Sequence, residues 1–150
     1  MNDPQHASSL RQGVTTEILG QDGLSYAPLS SENYKIQRRY LGGILGTPPD
    51  NLDMSTIESF RSHYHKKVSI NTAYPVSHGA LRMETVGFYD KPLTGKNLDY
   101  AKNLLEDGLN QGSVGLATGM SYHPNAWSNT EELIESVSYT HLTLPTKRIV

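Results

Sequence analysis

The chain has 150 residues, a formal net charge of -2, a pI near 6.3 and 36% hydrophobic residues. That is one domain's worth, with enough apolar side chains for a core. A balanced charge argues against nucleic acid or an anionic membrane as partner, no apolar run approaches the ~20 residues of a membrane span, and the absence of cysteine excludes disulfides and thiolate metal sites.

Met1 to Gln5 lacks the basic-then-apolar layout of a signal peptide, so a cytoplasmic protein is expected. Pro4 to Gln12 reads as a short helix, with Pro4 in its first turn and Gly13 past its end. A helix at the very start, with a strand at once behind it, suggests that Met1 is internal to a longer protein. Val14 to Leu19 is the first strand, β-branched and apolar. It runs into Gly20-Gln21-Asp22-Gly23, where two glycines allow a sharp bend around one carboxylate.

Ser30 to Leu41 is the next helix, capped by Ser30 or Ser31, and a loop rich in Gly and Pro follows through Pro49. Ser55 and Glu58 form a capping box at the head of a helix reaching about Lys66. Val68, Ile70, Thr72 and Tyr74 alternate with smaller or polar residues as a second strand, which Pro75 ends. Val76 to Gly79 is its exit loop, and Ala80 to Val86 a short helix. Leu98, Ala101, Leu105 and Leu109 mark the clearest helix, capped at Thr94 or Asn97 and stopped by Gly112. Ser113 to Ala117 is a third strand, Thr118 to Pro124 its exit loop, and Ser128 begins a last helix. Strands alternating with helices in this way predict an α/β fold with a parallel sheet, either an arc of a barrel or an open sheet.

From Val137 the character changes. Three threonines and Pro145 predict that the helix from Ser128 stops near Glu135. Val137 to Thr146 also back-translates, in frame, into the transposon-end adapter of sequencing libraries. Residues 1–136 are therefore read as the domain and 137–150 as a non-native tail.

In parallel α/β folds chemistry gathers at the carboxyl ends of strands, where Asp22, His78 and Tyr122 all lie. Asp22 reads either as a metal ligand or catalytic carboxylate, or as a turn aspartate capping an amide. His78 reads as a substrate contact or as a structural histidine. Tyr122 reads as a pocket wall or a packed loop aromatic. Arg82 fits a substrate carboxylate or, preferably, a helix surface. His63 and His65 imitate a metal-binding pair, but they close a helix on which residues two apart diverge, so they read as a solvated helix end.

Four segments together carry a resemblance: Asn2-Asp3-Pro4, Gly13 to Pro28, Val76 to Arg82, and Asp107 to Tyr122 with Gln111 to Met120 at its centre. In this order they resemble the D-aminoacylase (N-acyl-D-amino-acid deacylase) family of the amidohydrolase superfamily. The resemblance implies a metal-dependent TIM (β/α)8 barrel with a small β-sandwich, of which this chain supplies about three strand-helix units. It implies zinc as cofactor, N-acyl-D-amino acids as the small-molecule substrate, and hydrolysis of their amide by metal-activated water. Asp22 falls where the family has a metal-binding cysteine, which makes it the candidate metal residue; His78 and Tyr122 are the candidate substrate-binding residues. The family's histidine pair is expected before Asn2, and its later histidines and catalytic aspartate after Glu135. The chain is thus a fragment with no catalytic residue of its own, expected to be inactive and, with unpaired barrel edges, poorly soluble or molten. The alternatives are another amidohydrolase, dihydroorotase-like or dipeptidase-like, and a non-catalytic α/β domain that binds a small molecule.

Overall fold

The computed structural model describes residues 4–143. Four short strands carry the frame: β1 (Thr16–Ile18), β2 (Asn71–Ala73), β3 (Val76–Ser77) and β4 (Leu116–Ala117). β1 pairs in parallel with β2, Glu17 opposite Thr72, and β3 pairs in parallel with β4, Ser77 opposite Ala117. β2 and β3 are separated only by Tyr74 and Pro75, so one run of chain serves both ladders. Pro75 has no amide to donate and closes the predicted second strand, which starts later than expected, at Asn71; pairing then resumes at Val76 on a different neighbour. The stretch expected to be its exit loop is instead β3 and the head of a helix.

The helices are α1 (Ala7–Arg11), α2 (Ser31–Leu45), α3 (Ile57–Ser62), α4 (His78–Thr85), α5 (Gly95–Asn110) and α6 (Thr130–Thr143). α2 runs past Gly42 and Gly43 and ends at Gly46, whose φ of 76° closes it. The capping box of α3 is Thr56 with Ser59, one residue beyond the predicted pair. Ser55 is diverted, its amide and hydroxyl both donating to Asp53 Oδ1 at 3.0 and 2.7 Å. The predicted third strand, Ser113 to Ala117, narrows to β4; ahead of it the Ser113 hydroxyl and the Val114 amide both donate to the Tyr74 carbonyl, at 2.8 and 2.9 Å.

α6 does not stop near Glu135; its backbone stays helical to Thr143. Threonine lowers helix stability by only about 0.7 kcal/mol per residue, against about 3 for proline, and the first proline lies beyond, at Pro145. Ser136 turns its hydroxyl back onto the Glu132 carbonyl at 2.8 Å and so stays within the helix.

The core joins Leu24, Leu29 and Tyr34 to Ile57, Phe60, Val76, Leu81 and Leu105, all buried. α5 presents Ala101, Leu105 and Gly108 inward. At Gly108 the helix lies so close to the sheet that a Cβ would stand 2.6 Å from Val76 Cγ2 and 3.1 Å from Ile57 Cγ1. Among the described residues no helix is long and apolar enough to cross a membrane.

Candidate functional site

After β1 the chain turns through Gln21–Gly23 in a single 3-10 turn, with Gly20 at φ 80°, Asp22 at 58° and Gly23 at 67°. Glycine takes this left-handed region freely, but Asp22 carries a carboxylate there against its backbone preference. The turn is clamped from behind by segments far along the chain. Ser77 Oγ donates to the Gly23 carbonyl at 2.6 Å, and Asn125 Nδ2 to the Asp22 carbonyl at 3.2 Å. The backbone of Gly119 lies against Asp22, where a Cβ would meet Asp22 Cβ and O at 2.7 Å. Gly79 leaves room in the same way for the Gly23 carbonyl, also at 2.7 Å. Every clamp comes from the carboxyl-end side of β3 or β4, so the parallel ladders bring these distant residues to one end of the sheet.

The side chain of Asp22 is exposed, and among the described residues its carboxylate accepts no hydrogen bond. A turn aspartate kept for capping would bond an amide of its own turn.

His78 is placed differently from a substrate contact. It is fully buried at the head of α4, and both ring nitrogens are engaged: Nδ1 with Thr118 Oγ1 at 2.8 Å and Nε2 with Glu132 Oε1 at 2.7 Å. Ser77 caps the same helix, accepting the Ala80 amide at 3.2 Å. Arg82, preferred above as a surface residue, is also fully buried. Its Nη1 donates to both Glu132 oxygens, at 2.7 and 2.5 Å, and its Nη2 to the Lys91 carbonyl at 2.6 Å. The Leu93 amide completes the shell of Glu132 at 3.1 Å. Burial works to raise the Glu132 pKa, but the hydrogen bonds from His78, Arg82 and Leu93, with the Arg82 charge, together hold it below the usual carboxylate range.

Glu132, Thr118 and Asn125 did not stand out in the sequence. Glu132 follows Glu131 at a helix start, where acidic residues are ordinary. The available signal was His78 and Arg82 at i and i+4, a spacing that puts both on one helix face toward a shared partner.

Tyr122 is half-buried in the loop after β4, packed against the core three residues beyond Gly119. Near it, His123 stacks on Trp127 with ring centroids 4.3 Å apart, and Phe88 meets the Trp127 edge at 5.5 Å. His63, at the end of α3, bonds the Asp53 carbonyl at 2.8 Å, and His65 is exposed. Among the described residues no three His, Cys, Asp or Glu side chains come together as a metal site. A zinc site draws on three or four protein donors. Asp22 alone does not fit one, and any metal held there would need ligands from outside the described residues.

No family model matches the chain. It is 28% identical over 141 residues to a D-aminoacylase of Alcaligenes xylosoxydans xylosoxydans, across 84% of this chain and 25% of that protein. In fold it is similar to an N-acyl-D-glutamate deacylase of Bordetella bronchiseptica solved with zinc and a phosphonate inhibitor, at a TM-score of 0.78 and 22% identity, over 95% of this chain and 29% of that one. It is also similar to a D-aminoacylase with a binuclear metal centre, at a TM-score of 0.70 and 26% identity, over 85% of this chain and 26% of the other. The chain therefore spans about a quarter of the length of these relatives.

Proposed function

We propose that this chain, similar in sequence and in fold to the N-acyl-D-amino-acid deacylases, is a segment of such an enzyme. It contributes about three strand-helix units of a TIM barrel: β1 with α2 and α3, β2 and β3 with α4 and α5, and β4 with α6. The parent protein hydrolyses the amide of N-acyl-D-amino acids. The observation that carries the reading is agreement along most of the chain, by sequence and by backbone, with relatives of one activity. The Asp22 turn supports it, since an exposed carboxylate is held at a strand end by contacts from the segments that follow β3 and β4.

Zinc held in the parent by Asp22 together with ligands from outside the described residues would supply Lewis-acid chemistry for amide hydrolysis. This chain's part is to present Asp22 as one ligand and Tyr122 as a wall of the substrate pocket, with His78 fixed behind them. Among the described residues it holds no complete metal site, and the chain alone is proposed to be inactive. Residues 137–150 belong to this proposal as a foreign tail.

The test is the longer gene that contains this segment. Its product should hold a divalent metal and release free D-amino acids from N-acyl-D-amino acids, while the 150-residue chain releases none. A product active only on N-acyl-L-amino acids, or an uninterrupted gene with no histidine-bearing strands on either side of the segment, overturns the reading.

A further inference from the structure

We propose that His78 is a positioning residue. It holds Thr118, and through the adjoining Gly119 it fixes the turn that presents Asp22, while Glu132 and Arg82 lock the imidazole from behind. The row is continuous: Glu132 Oε1 to His78 Nε2 at 2.7 Å, His78 Nδ1 to Thr118 Oγ1 at 2.8 Å, then the Gly119 backbone in contact with Asp22. The importance of this row for catalysis rests on the function proposed above; its geometry does not.

The chemistry of the row fixes its direction. An ionised carboxylate only accepts, so His78 Nε2–H donates to Glu132. Nδ1 of a neutral imidazole then accepts from the Thr118 hydroxyl. Arg82 already balances the Glu132 charge, so a neutral His78 leaves the buried cluster uncharged as a whole, the arrangement with the smallest desolvation cost.

A row of carboxylate, imidazole and hydroxyl is also the pattern of an activated nucleophile. Here the carboxylate is shared. Glu132 accepts both contacts from Arg82 Nη1 and the Leu93 amide as well as His78. That sharing withdraws the charge an imidazole would need behind it to act as a strong base. The imidazole is itself fully buried, and only Thr118, at the end of the row, reaches the surface. The arrangement holds a loop; it does not generate an alkoxide.

Hydrogen exchange read by mass spectrometry on the 150-residue chain, at low concentration, tests this. Thr118→Val removes the hydroxyl with little change of shape, and Thr118→Ser keeps it. Thr118→Val should speed exchange up to about tenfold in peptides covering residues 20–25 and 117–124, as expected for loss of one net hydrogen bond, and leave residues 98–109 of α5 unchanged. Thr118→Ser should behave as the parent chain does. His78→Gln, which can still donate to Glu132 but not reach Thr118, should reproduce the Thr118→Val pattern. The proposal is overturned if Thr118→Val leaves both peptides unchanged, or speeds α5 equally. An acyl adduct on Thr118 after treatment with p-nitrophenyl acetate overturns it too, in favour of a nucleophile. Because exchange is read without substrate or metal, a longer protein inactive on N-acyl-D-amino acids would sink the enzymatic reading and leave this one standing.

Discussion

Arg82 and Glu132 stand fifty residues apart in the chain and meet with both side chains fully buried, Nη1 lying 2.7 and 2.5 Å from the two carboxylate oxygens. The pair ties α4 to α6. Removing one partner of a buried pair leaves an uncompensated charge, which costs about 3–5 kcal/mol. Arg82→Met and Glu132→Gln should each lower stability by about that much, as read from urea unfolding, and the Arg82→Met/Glu132→Leu double variant should recover part of the loss. Two single losses that simply add would show that the residues do not act as a pair.

Acid should find the same pair. The Glu132 pKa is lower in the folded chain than in the unfolded one, where it is near 4.5. Its stabilisation is therefore complete above the unfolded value and is lost as pH falls through the folded one. The urea midpoint of the chain should fall as pH drops below the unfolded value near 4.5, and Glu132→Gln should flatten that part of the curve. An unchanged slope in the variant would mean that other carboxylates dominate acid unfolding.

Asp22 separates fold from chemistry. Its φ of 58° is a conformation that glycine takes without strain, although glycine also loses more freedom on folding. These effects nearly cancel, so Asp22→Gly should leave the melting free energy within about 0.5 kcal/mol of the parent, whereas Asp22→Val, β-branched in a left-handed position, should cost about 1–2 kcal/mol. In the longer protein Asp22→Gly should nevertheless lower bound metal, measured by elemental analysis. Full metal occupancy in that variant would remove Asp22 from the proposed ligand set.

What was legible in the sequence was whatever depends on local pattern. The alternation of strands and helices was there, as were the stripe of α5 and the two glycines around Asp22. What was not legible depends on contacts across the fold. Pro75 looked like the end of a strand, because nothing local says that the ladder resumes on a different neighbour at Val76. Ser55 looked like a cap until Asp53 claimed it. His78 stood at a strand exit, where functional residues gather, but only the fold reveals Glu132 behind it and the imidazole turned inward. Arg82 looked exposed because arginine usually is, and its buried partner lies fifty residues on. The resemblance pointed toward the deacylases, and it supplied no contact.

At Gly108 α5 packs directly against the sheet. A methyl there would stand 2.6 Å from Val76 Cγ2. Gly108→Ala raises helix propensity by about 1 kcal/mol, but overpacking of this kind costs about 1–3 kcal/mol and should win. Pairing it with Val76→Ala, which removes the opposing methyl groups, should make the double variant more stable than the two separate losses predict, as read by a double-mutant cycle. A Gly108→Ala variant more stable than the parent would show that α5 can shift away at little cost.

Among the described residues β1 pairs only with β2 and β4 only with β3. Beside these strands Val14, Ile18 and Val114 are exposed, Ile18 by 53% and Val114 by 51%. Unpaired backbone flanked by β-branched apolar side chains is a template for another strand. In a complete barrel neighbouring strands would cover it; in this chain a second copy can. Sedimentation of the 150-residue chain should therefore show association that grows with concentration. Ile18→Lys and Val114→Lys place a charge at each edge and should shift the chain toward monomer without lowering its helix content. A parent chain that stays monomeric across the accessible range, with a sharp cooperative melt, would mean that these edges are covered from within.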